Sequence, residues 1–254
     1  MDLGLADRRF LVGGASRGLG AAVAQALVAE GARVAGISRD PGEASGSNTA
    51  GIVAVAADLS QPDGPATAVR AAVDALGGLD GLLVNTGGPP GGSFATVDDA
   101  AWERAIAGTL QSTIRLIREA VPHLREGRDP SIVVVLSSSV REPIPALITS
   151  NVLRPGLAGL IKSLVTEIAP IRINGVAPGR FDTDRVRSLD AARAADSGAT
   201  VEEIQAQTRS RIPLGRYGDP DELGRVVAFL LSPAASYLDG VILPVDGGML
   251  RSLP

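Results

Sequence analysis

A run of closely spaced glycines near the start of the chain is the first pattern that suggests chemistry. Gly14, Gly18 and Gly20 lie in the segment GGASRGLG, between an apolar run and an amphipathic stretch. Glycines let the backbone turn tightly and approach a phosphate, and the first turn of a helix offers free N–H groups to an anion. A strand, a glycine loop and a helix in this order predict a site for the pyrophosphate of a dinucleotide.

The residues after the second apolar run bear on which dinucleotide would bind. Ser38 and Arg39 end that run, and Arg17 can reach over from the glycine loop. An acidic residue there would bond the 2′-hydroxyl of NAD, whereas two guanidinium groups suit the 2′-phosphate of NADP. We therefore expect NADP(H) rather than NAD(H). Asp40 is an opposing signal, and Arg39 alone would also fit a solvated surface charge.

The composition excludes several other chemistries. The 254 residues contain no Cys and one His, so thiolate catalysis and a Cys- or His-rich metal cage are excluded. A Ser-His-Asp triad would rest on His123 alone, whose place at a predicted helix end favours a capping or surface role. Asp182 and Asp184 are isolated carboxylates, so we expect no metal. The net charge of −4 gives no positive excess for nucleic acid or an anionic membrane.

Short apolar runs alternate with helical patterns along the whole chain. The predicted strands span 9–13, 33–38, 52–57, 81–85, 132–137, 171–177 and 241–244, and the predicted helices span 19–30, 65–76, 98–123, 152–168 and 219–231. This alternation is typical of βαβ units with a parallel sheet covered on both faces. The fold class predicted is a single doubly wound, Rossmann-like α/β domain over 1–254, with its ligand site beyond the carboxyl ends of the strands.

A long connection and the chain's first residues complete the organisation. The connection 184–212 is partly helical by pattern, and its length predicts a lid over the substrate. The first residues carry charges that break their apolar stretches, and no segment has the roughly 18 apolar residues of a membrane helix. A cytoplasmic protein is therefore expected.

Several segments resemble the short-chain dehydrogenase/reductase family in the right order. They are the glycine motif, Asp58-Leu59, Asn85-Thr86-Gly87-Gly88, and the stretches 172–183 and 213–248. The similarity covers essentially the whole chain and is closest to the 3-oxoacyl-acyl-carrier-protein reductase branch. It implies carbonyl–alcohol interconversion on a small carbonyl or acyl thioester substrate, and a homotetramer or homodimer.

The resemblance also implies which residues would hold the cofactor. Asp58 and Leu59 would lie at the adenine, and Pro178, Gly179 and Thr183 would flank the nicotinamide. The full predicted cofactor set is Gly14, Ser16, Arg17, Gly18, Leu19, Gly20, Ser38, Arg39, Asp58, Leu59, Asn85, Thr86, Gly87, Arg154, Pro178, Gly179 and Thr183.

The family's catalytic positions are where the resemblance fails. Its members use a Ser-Tyr-Lys set with a supporting Asn, because a phenol with a lowered pKa can protonate the oxygen that receives negative charge. Here Ser150 falls on the tyrosine, Arg154 on the lysine and Thr109 on the asparagine. Only the serine is kept, as Ser137 or Ser138. The chain's single lysine, Lys162, lies eight residues past Arg154.

Two interpretations follow and the sequence does not choose between them. In the first, the protein is a reductase or dehydrogenase with altered proton delivery, in which Ser150 relays a proton from water. In the second, it is a catalytically degenerate NADP(H)-binding regulatory or scaffold protein. Ser150 could also be a helix cap, since Thr149-Ser150-Asn151 are all cap-forming residues and Pro155 suits a first turn.

Overall fold

The computed structural model describes residues 2–40 and 51–252, which form seven strands and eight α-helices. The strands are β1 (Arg9–Gly13), β2 (Arg33–Ser38), β3 (Ile52–Ala56), β4 (Gly81–Val84), β5 (Ser131–Val135), β6 (Arg172–Pro178) and β7 (Ile242–Val245). The helices are α1 (Gly18–Ala29), α2 (Gly64–Leu76), α3 (Asp99–Ala105), α4 (Ser112–Arg125), α5 (Ile148–Glu167), α6 (Asp184–Ser197), α7 (Val201–Ser210) and α8 (Pro220–Leu231).

The seven strands form one parallel sheet in the order β3-β2-β1-β4-β5-β6-β7. The chain moves outward from β1 to β3 and then returns to place β4 on the other side of β1. Between β1 and β4 the connections therefore leave in opposite directions, which opens a crevice beyond the carboxyl ends of these strands. The glycine loop follows β1 and lies at that crevice.

Two apolar layers cover the two faces of the sheet. On one face, residues of α2, α4 and α5 such as Val69, Leu116 and Leu157 pack on the strands and are buried. On the other face, α1 and α8 contribute Leu27 and Val227. Strands such as β5 are buried along their whole length because both faces are covered. The predicted doubly wound fold is confirmed.

Several predicted boundaries near the site differ from the structure. Helix α5 begins at Ile148 rather than 152, because Ile148 N–H bonds the Gly92 carbonyl at 3.2 Å and the Thr149 hydroxyl bonds the Pro90 carbonyl at 2.9 Å. Those contacts with a neighbouring loop satisfy the first turn. The interpretation of Ser150 as a cap is therefore wrong, and Pro155 lies inside the helix rather than in its first turn.

The single long helix predicted over 98–123 contains an irregular turn. Between α3 and α4 the chain forms a π-helical turn, Ile106–Gln111, whereas Pro122 lies inside α4 without ending it. Strand β5 stops at Val135, two residues before the predicted end, and a short 3-10 turn (Ser138–Val140) follows. The connection 184–212 holds α6 and α7. Within the described ranges, no helix is both long and apolar enough to cross a membrane.

Candidate active site

The glycine loop forms a tight cradle at the start of α1. Gly14 and Gly18 have left-handed φ values of 63° and 58°, which favour glycine. A Cβ on Gly20 would lie 2.1 Å from the Gly14 carbonyl oxygen, so the loop packs directly on the helix. Arg17 precedes α1 without a side-chain cap bond, and its side chain is exposed. The first N–H groups of α1 are thus left without a side-chain cap, as an anion site requires.

The predicted adenosine end lies beside the ends of β2 and β3. Asp58 accepts hydrogen bonds from the Ser60 amide at 2.9 Å and the Ser60 hydroxyl at 2.7 Å, and these bonds lower the pKa of its carboxyl. The positive charge of Arg39 lowers that pKa further. Asp58 therefore stays ionised and fixed, while Arg39 is exposed next to it. Leu59 packs against the apolar layer below.

The predicted nicotinamide end lies between the ends of β4 and β6. Asn85 donates from Nδ2 to the Gly13 carbonyl at 3.2 Å, which ties the β4 turn to the glycine loop. Pro178 ends β6 and Gly179 donates to the Val245 carbonyl at 2.9 Å. Thr183 caps α6, and its side chain lies 3.6 Å from where a Cβ of Gly18 would be. The structure therefore brings these predicted residues to one crevice.

Arg154 is buried at the centre of the site. Its side chain is 5% exposed, and it donates from Nη1 to the Val135 carbonyl and from Nη2 to the Gly87 carbonyl at 2.7 Å. Burial lowers its pKa to about 10, and the charge of Arg185 adds to this effect. The guanidinium is therefore still protonated at neutral pH and holds a positive charge between the ends of β4 and β5.

Ser137, Ser138, Ser139 and Ser150 form a cluster, of which only part was predicted from the sequence. The Ser137 hydroxyl accepts from the Ser139 amide at 3.1 Å and caps the short turn, while Ser138 is 3% exposed. The Ser139 hydroxyl lies 3.0 Å from the Ser150 hydroxyl, and both residues are buried. Ser139, which the sequence analysis did not single out, is the serine in contact with Ser150. Its place in the run Ser137-Ser138-Ser139 was the available signal.

Thr109, the residue at the asparagine position, is buried in the π-helical turn that packs against α5. Its carbonyl accepts a bond from the Thr113 hydroxyl at 2.7 Å. A π turn inserts one extra residue into a helix and is frequent at functional sites. The irregular turn thus aims residue 109 differently from a regular helix.

The two tyrosines and the lysine do not supply the missing groups. Tyr217 donates to Asp190 at 2.7 Å, and burial together with that carboxylate raises the pKa of its phenol. Tyr237 is fully exposed. Lys162 is exposed on α5 and lies beside Gly240. A phenol with a raised pKa is a poorer acid, so Tyr217 is unsuited to proton donation.

Buried polar atoms without partners mark the crevice as a ligand site. Four side-chain atoms in the described part of the chain are buried without a hydrogen bond: Arg8 Nε, Ser38 Oγ, Thr86 Oγ1 and Arg154 Nε. Three of them belong to residues predicted to hold the cofactor. Buried polar groups are normally hydrogen-bonded, so these three atoms are available to a polar ligand in the crevice. The residues present therefore fit a dinucleotide.

A second arginine, Arg185 of α6, also reaches the crevice. It donates from Nη1 to the Gly88 carbonyl at 3.2 Å and from Nη2 to the Pro89 carbonyl at 2.8 Å. Arg185 was not predicted from the sequence, because its position depends on how α6 folds over the β4 turn. Among the described residues, no group of three or more His, Cys, Asp or Glu side chains could hold a metal ion.

The doubly wound sheet and the glycine cradle define a dinucleotide-binding α/β protein. A family model described as Enoyl-(Acyl carrier protein) reductase matches residues 14–250. The chain is 30% identical to the 3-oxoacyl-[acyl-carrier-protein] reductase FabG of Vibrio cholerae, over 97% of this chain and 99% of that protein. The chain belongs to the short-chain dehydrogenase/reductase family, whose members are oxidoreductases.

Two solved structures are similar over nearly the whole chain. The L-sorbose reductase of Gluconobacter frateurii, complexed with NADPH and L-sorbose, has a TM-score of 0.93 at 27% identity and covers 100% of both chains. A short-chain oxidoreductase of Pseudomonas aeruginosa PAO1, bound to NADPH and described as containing an atypical catalytic center, has a TM-score of 0.86. It is 29% identical and covers 98% of this chain and 100% of that chain.

Proposed function

We propose that the protein is an NADP(H)-dependent oxidoreductase that interconverts a carbonyl and a secondary alcohol with altered proton delivery. The observation that carries the proposal is Arg154, held between the Val135 and Gly87 carbonyls, with an Nε that has no partner among the residues the structure describes. A guanidinium fixed there keeps a positive charge where the reacting oxygen becomes negative. A site that had lost its chemistry would gain nothing from this buried charge, because the burial of a charge costs free energy.

The bound cofactor would supply the hydride, and the chain's own residues would manage the proton. Charge that develops on the carbonyl oxygen is stabilised by the fixed charge of Arg154. A serine hydroxyl is too weak an acid to remain deprotonated. Ser150 therefore gives its proton to the substrate oxygen while it receives a second proton from a neighbouring group. Ser139, at 3.0 Å, is the group from which Ser150 receives it, and water restores the proton on Ser139.

The preference for NADP(H) rests on Arg17 and Arg39 near the adenosine end. Both side chains are exposed at the crevice, and Ser38 Oγ is buried there without a partner among the described residues. Replacing Arg17 and Arg39 together with Met should weaken NADPH binding at least tenfold, because two guanidinium groups leave the 2′-phosphate. NADH binding, measured by the same fluorescence titration, should stay within about twofold of the parent protein.

A direct test of the activity uses NADPH with a panel of short 3-oxoacyl thioesters and ketones. Loss of absorbance at the nicotinamide wavelength with at least one substrate supports the proposal. Tight NADPH binding without absorbance loss across the panel would favour the rival function, a cofactor-binding regulatory or scaffold protein without turnover. The double variant Ser150→Tyr, Arg154→Lys introduces the family's usual acid. Its activity with the same panel shows whether the rest of the pocket can use that acid.

A homotetramer assembled through α4, α5 and the C-terminal segment is part of this proposal, as is a lid formed by 184–212. Helix α5 exposes Val152, whose side chain is 54% accessible. An apolar side chain that is half exposed on a long helix suits a contact between subunits. Light scattering on the purified protein should give a mass about four times that of the 25.8 kDa chain.

A further inference from the structure

Arg185 lies flat on the backbone of the β4 turn. A Cβ on Gly88 would fall 2.4 Å from both Cζ and Nη2 of Arg185, so only a glycine at position 88 leaves room for the guanidinium there. The two bonds to the Gly88 and Pro89 carbonyls use two of its five N–H donors. Three donors remain, and the side chain is exposed to the crevice.

The charge of Arg185 is not neutralised within the described residues. Its neighbours in the chain are paired: Arg187 contacts Asp182 and Asp184, and Arg180 lies 3.5 Å from Asp190. In the ranges 2–40 and 51–252, neither Arg185 nor Arg154 forms an ion pair with a carboxylate. Arg154 at the centre of the site and Arg185 beside it are therefore two positive side chains without a paired carboxylate in these ranges.

We propose that Arg185 binds a carboxylate carried by the substrate, so that the protein acts on oxo acids rather than on neutral ketones. A planar guanidinium with adjacent free donors matches a carboxylate in a bidentate arrangement. The site neighbours Arg154, whose Nη2 holds the Gly87 carbonyl one residue before Gly88. The cofactor's phosphates have their own predicted cradle in the glycine loop after β1. This inference rests on the proposed function and specifies its substrate.

The experiment measures binding to the NADPH-loaded full chain, so it does not depend on turnover. Calorimetric titration would use 2-, 3- and 4-oxopentanoate, each beside its methyl ester. The variant Arg185→Met removes the charge and the guanidinium and keeps an unbranched side chain. Arg187→Met is the matched control, since Arg187 lies in the same turn of α6 and is already paired.

A second variant, Gly88→Ala, protects the test against misfolding of the first. Gly88 is not among the glycines with a positive φ, so alanine fits its backbone, but the new Cβ displaces the Arg185 guanidinium. We expect the parent protein to bind at least one acid about tenfold more tightly than its ester. Both Arg185→Met and Gly88→Ala should reduce that preference to about one, and Arg187→Met should keep it.

Two results would overturn the inference. The first is a parent protein that binds no acid more tightly than its ester. The second is an Arg185→Met variant that keeps the preference for the acid; weaker NADPH binding by that variant would show in addition that Arg185 serves the cofactor. A different result would refute the proposed function alone. If the protein prefers the acid through Arg185 but never oxidises NADPH, the carboxylate site stands and the oxidoreductase activity does not. If the protein oxidises NADPH with a substrate but binds no acid more tightly than its ester, the proposed function stands and the carboxylate site is refuted.

Discussion

The contact between Ser139 and Ser150 is the smallest unit on which the proposed chemistry depends. Both hydroxyls are buried and lie 3.0 Å apart, so each is within hydrogen-bond distance of the other. Replacing Ser150 with Ala should lower kcat about a hundredfold, the scale of a lost acid–base group, with NADPH affinity unchanged. Steady-state kinetics and fluorescence titration measure the two quantities.

The control for Ser150→Ala is the removal of another serine hydroxyl from the same helix, at a position away from the site. Ser163 lies in α5, and within the described ranges its hydroxyl bonds only the Gly159 carbonyl of the same helix, so Ser163→Ala should leave kcat unchanged. Ser139→Ala should lower kcat by a smaller factor than Ser150→Ala, because water can replace the second hydroxyl in a relay. A Ser150→Ala variant with the parent kcat would refute the relay.

The charge of Arg154 predicts an unusual dependence of activity on pH. Because burial lowers its pKa to about 10, the side chain is cationic below that pH and loses its charge above it. The kcat for reduction should therefore stay level from about pH 6 to about pH 9 and fall above about pH 10. Circular dichroism at each pH separates this loss from unfolding. A decline centred near neutral pH would show that a different acid controls the reaction.

Some of these residues were predictable and others were not, for a physical reason. Ser150, Arg154 and Thr109 follow from position along the chain, and the structure places all three in or beside the crevice. Ser139 and Arg185 were missed. Their partners lie 11 residues away across a turn, and 96 and 97 residues away in another loop, so only the folded chain brings them together.

Helix and strand bounds were also predicted correctly where they depend on the local sequence, and incorrectly where they depend on contacts with distant residues. The bounds of β1 and β2 were predicted without error, because a buried parallel strand is a continuous apolar run ended by polar or glycine residues. The start of α5 was predicted four residues late, since contacts with the loop at 90–92 extend the helix beyond its cap-forming residues. The π-helical turn left no signal in the sequence.

The junction of the glycine loop with α1 leads to a prediction about one element. A Cβ at Gly20 would lie 2.1 Å from the Gly14 carbonyl and 2.7 Å from the Gly13 carbonyl, both of which are backbone atoms. Gly20→Ala should therefore push the loop off the helix, lower the free energy of unfolding by about 1–3 kcal/mol and weaken NADPH binding more than tenfold. Denaturant unfolding and fluorescence titration measure both effects.

Gly159 offers the control for that substitution. It lies in α5 with no atom within 4 Å of an added Cβ, so Gly159→Ala should leave NADPH binding unchanged. A Gly20→Ala variant that binds NADPH as tightly as the parent protein would contradict the role of the cradle.

At the scale of the whole molecule, a buried carboxylate ties together the amino ends of the central strands β1 and β4. Asp80 is fully buried and accepts from Arg9 Nε at 3.0 Å, Arg9 Nη2 at 2.8 Å and the Arg128 amide at 2.7 Å. Burial alone would raise the pKa of its carboxyl, but these bonds prevail and lower the pKa to about 2. Asp80 therefore stabilises the fold in its ionised form.

The effect of Asp80 on stability should depend on pH. A carboxyl whose pKa is lower in the fold than in the unfolded chain stabilises above its ordinary pKa and loses that contribution as pH falls through the lowered one. Asp80→Asn should lower the free energy of unfolding by about 3 kcal/mol at neutral pH. Its deficit relative to the parent protein should shrink between about pH 4 and about pH 2.

Denaturant unfolding across this range provides the check. The control is Asp182→Asn, because Asp182 is 62% exposed and pairs with Arg187, which is itself 52% exposed. An exposed pair contributes at most about 1 kcal/mol, so that variant should unfold like the parent protein. A deficit of Asp80→Asn that is the same at every pH would show that packing rather than charge is lost.

The central claim, that this site still transfers hydride without the family's tyrosine and lysine, has one most direct test. The protein is incubated with NADPH deuterated at C4 and the panel of oxo acids, ketones and 3-oxoacyl thioesters, and the products are analysed by mass spectrometry. The account predicts at least one secondary alcohol with deuterium on the former carbonyl carbon. Saturable NADPH binding with no deuterated alcohol from any member of the panel would contradict it.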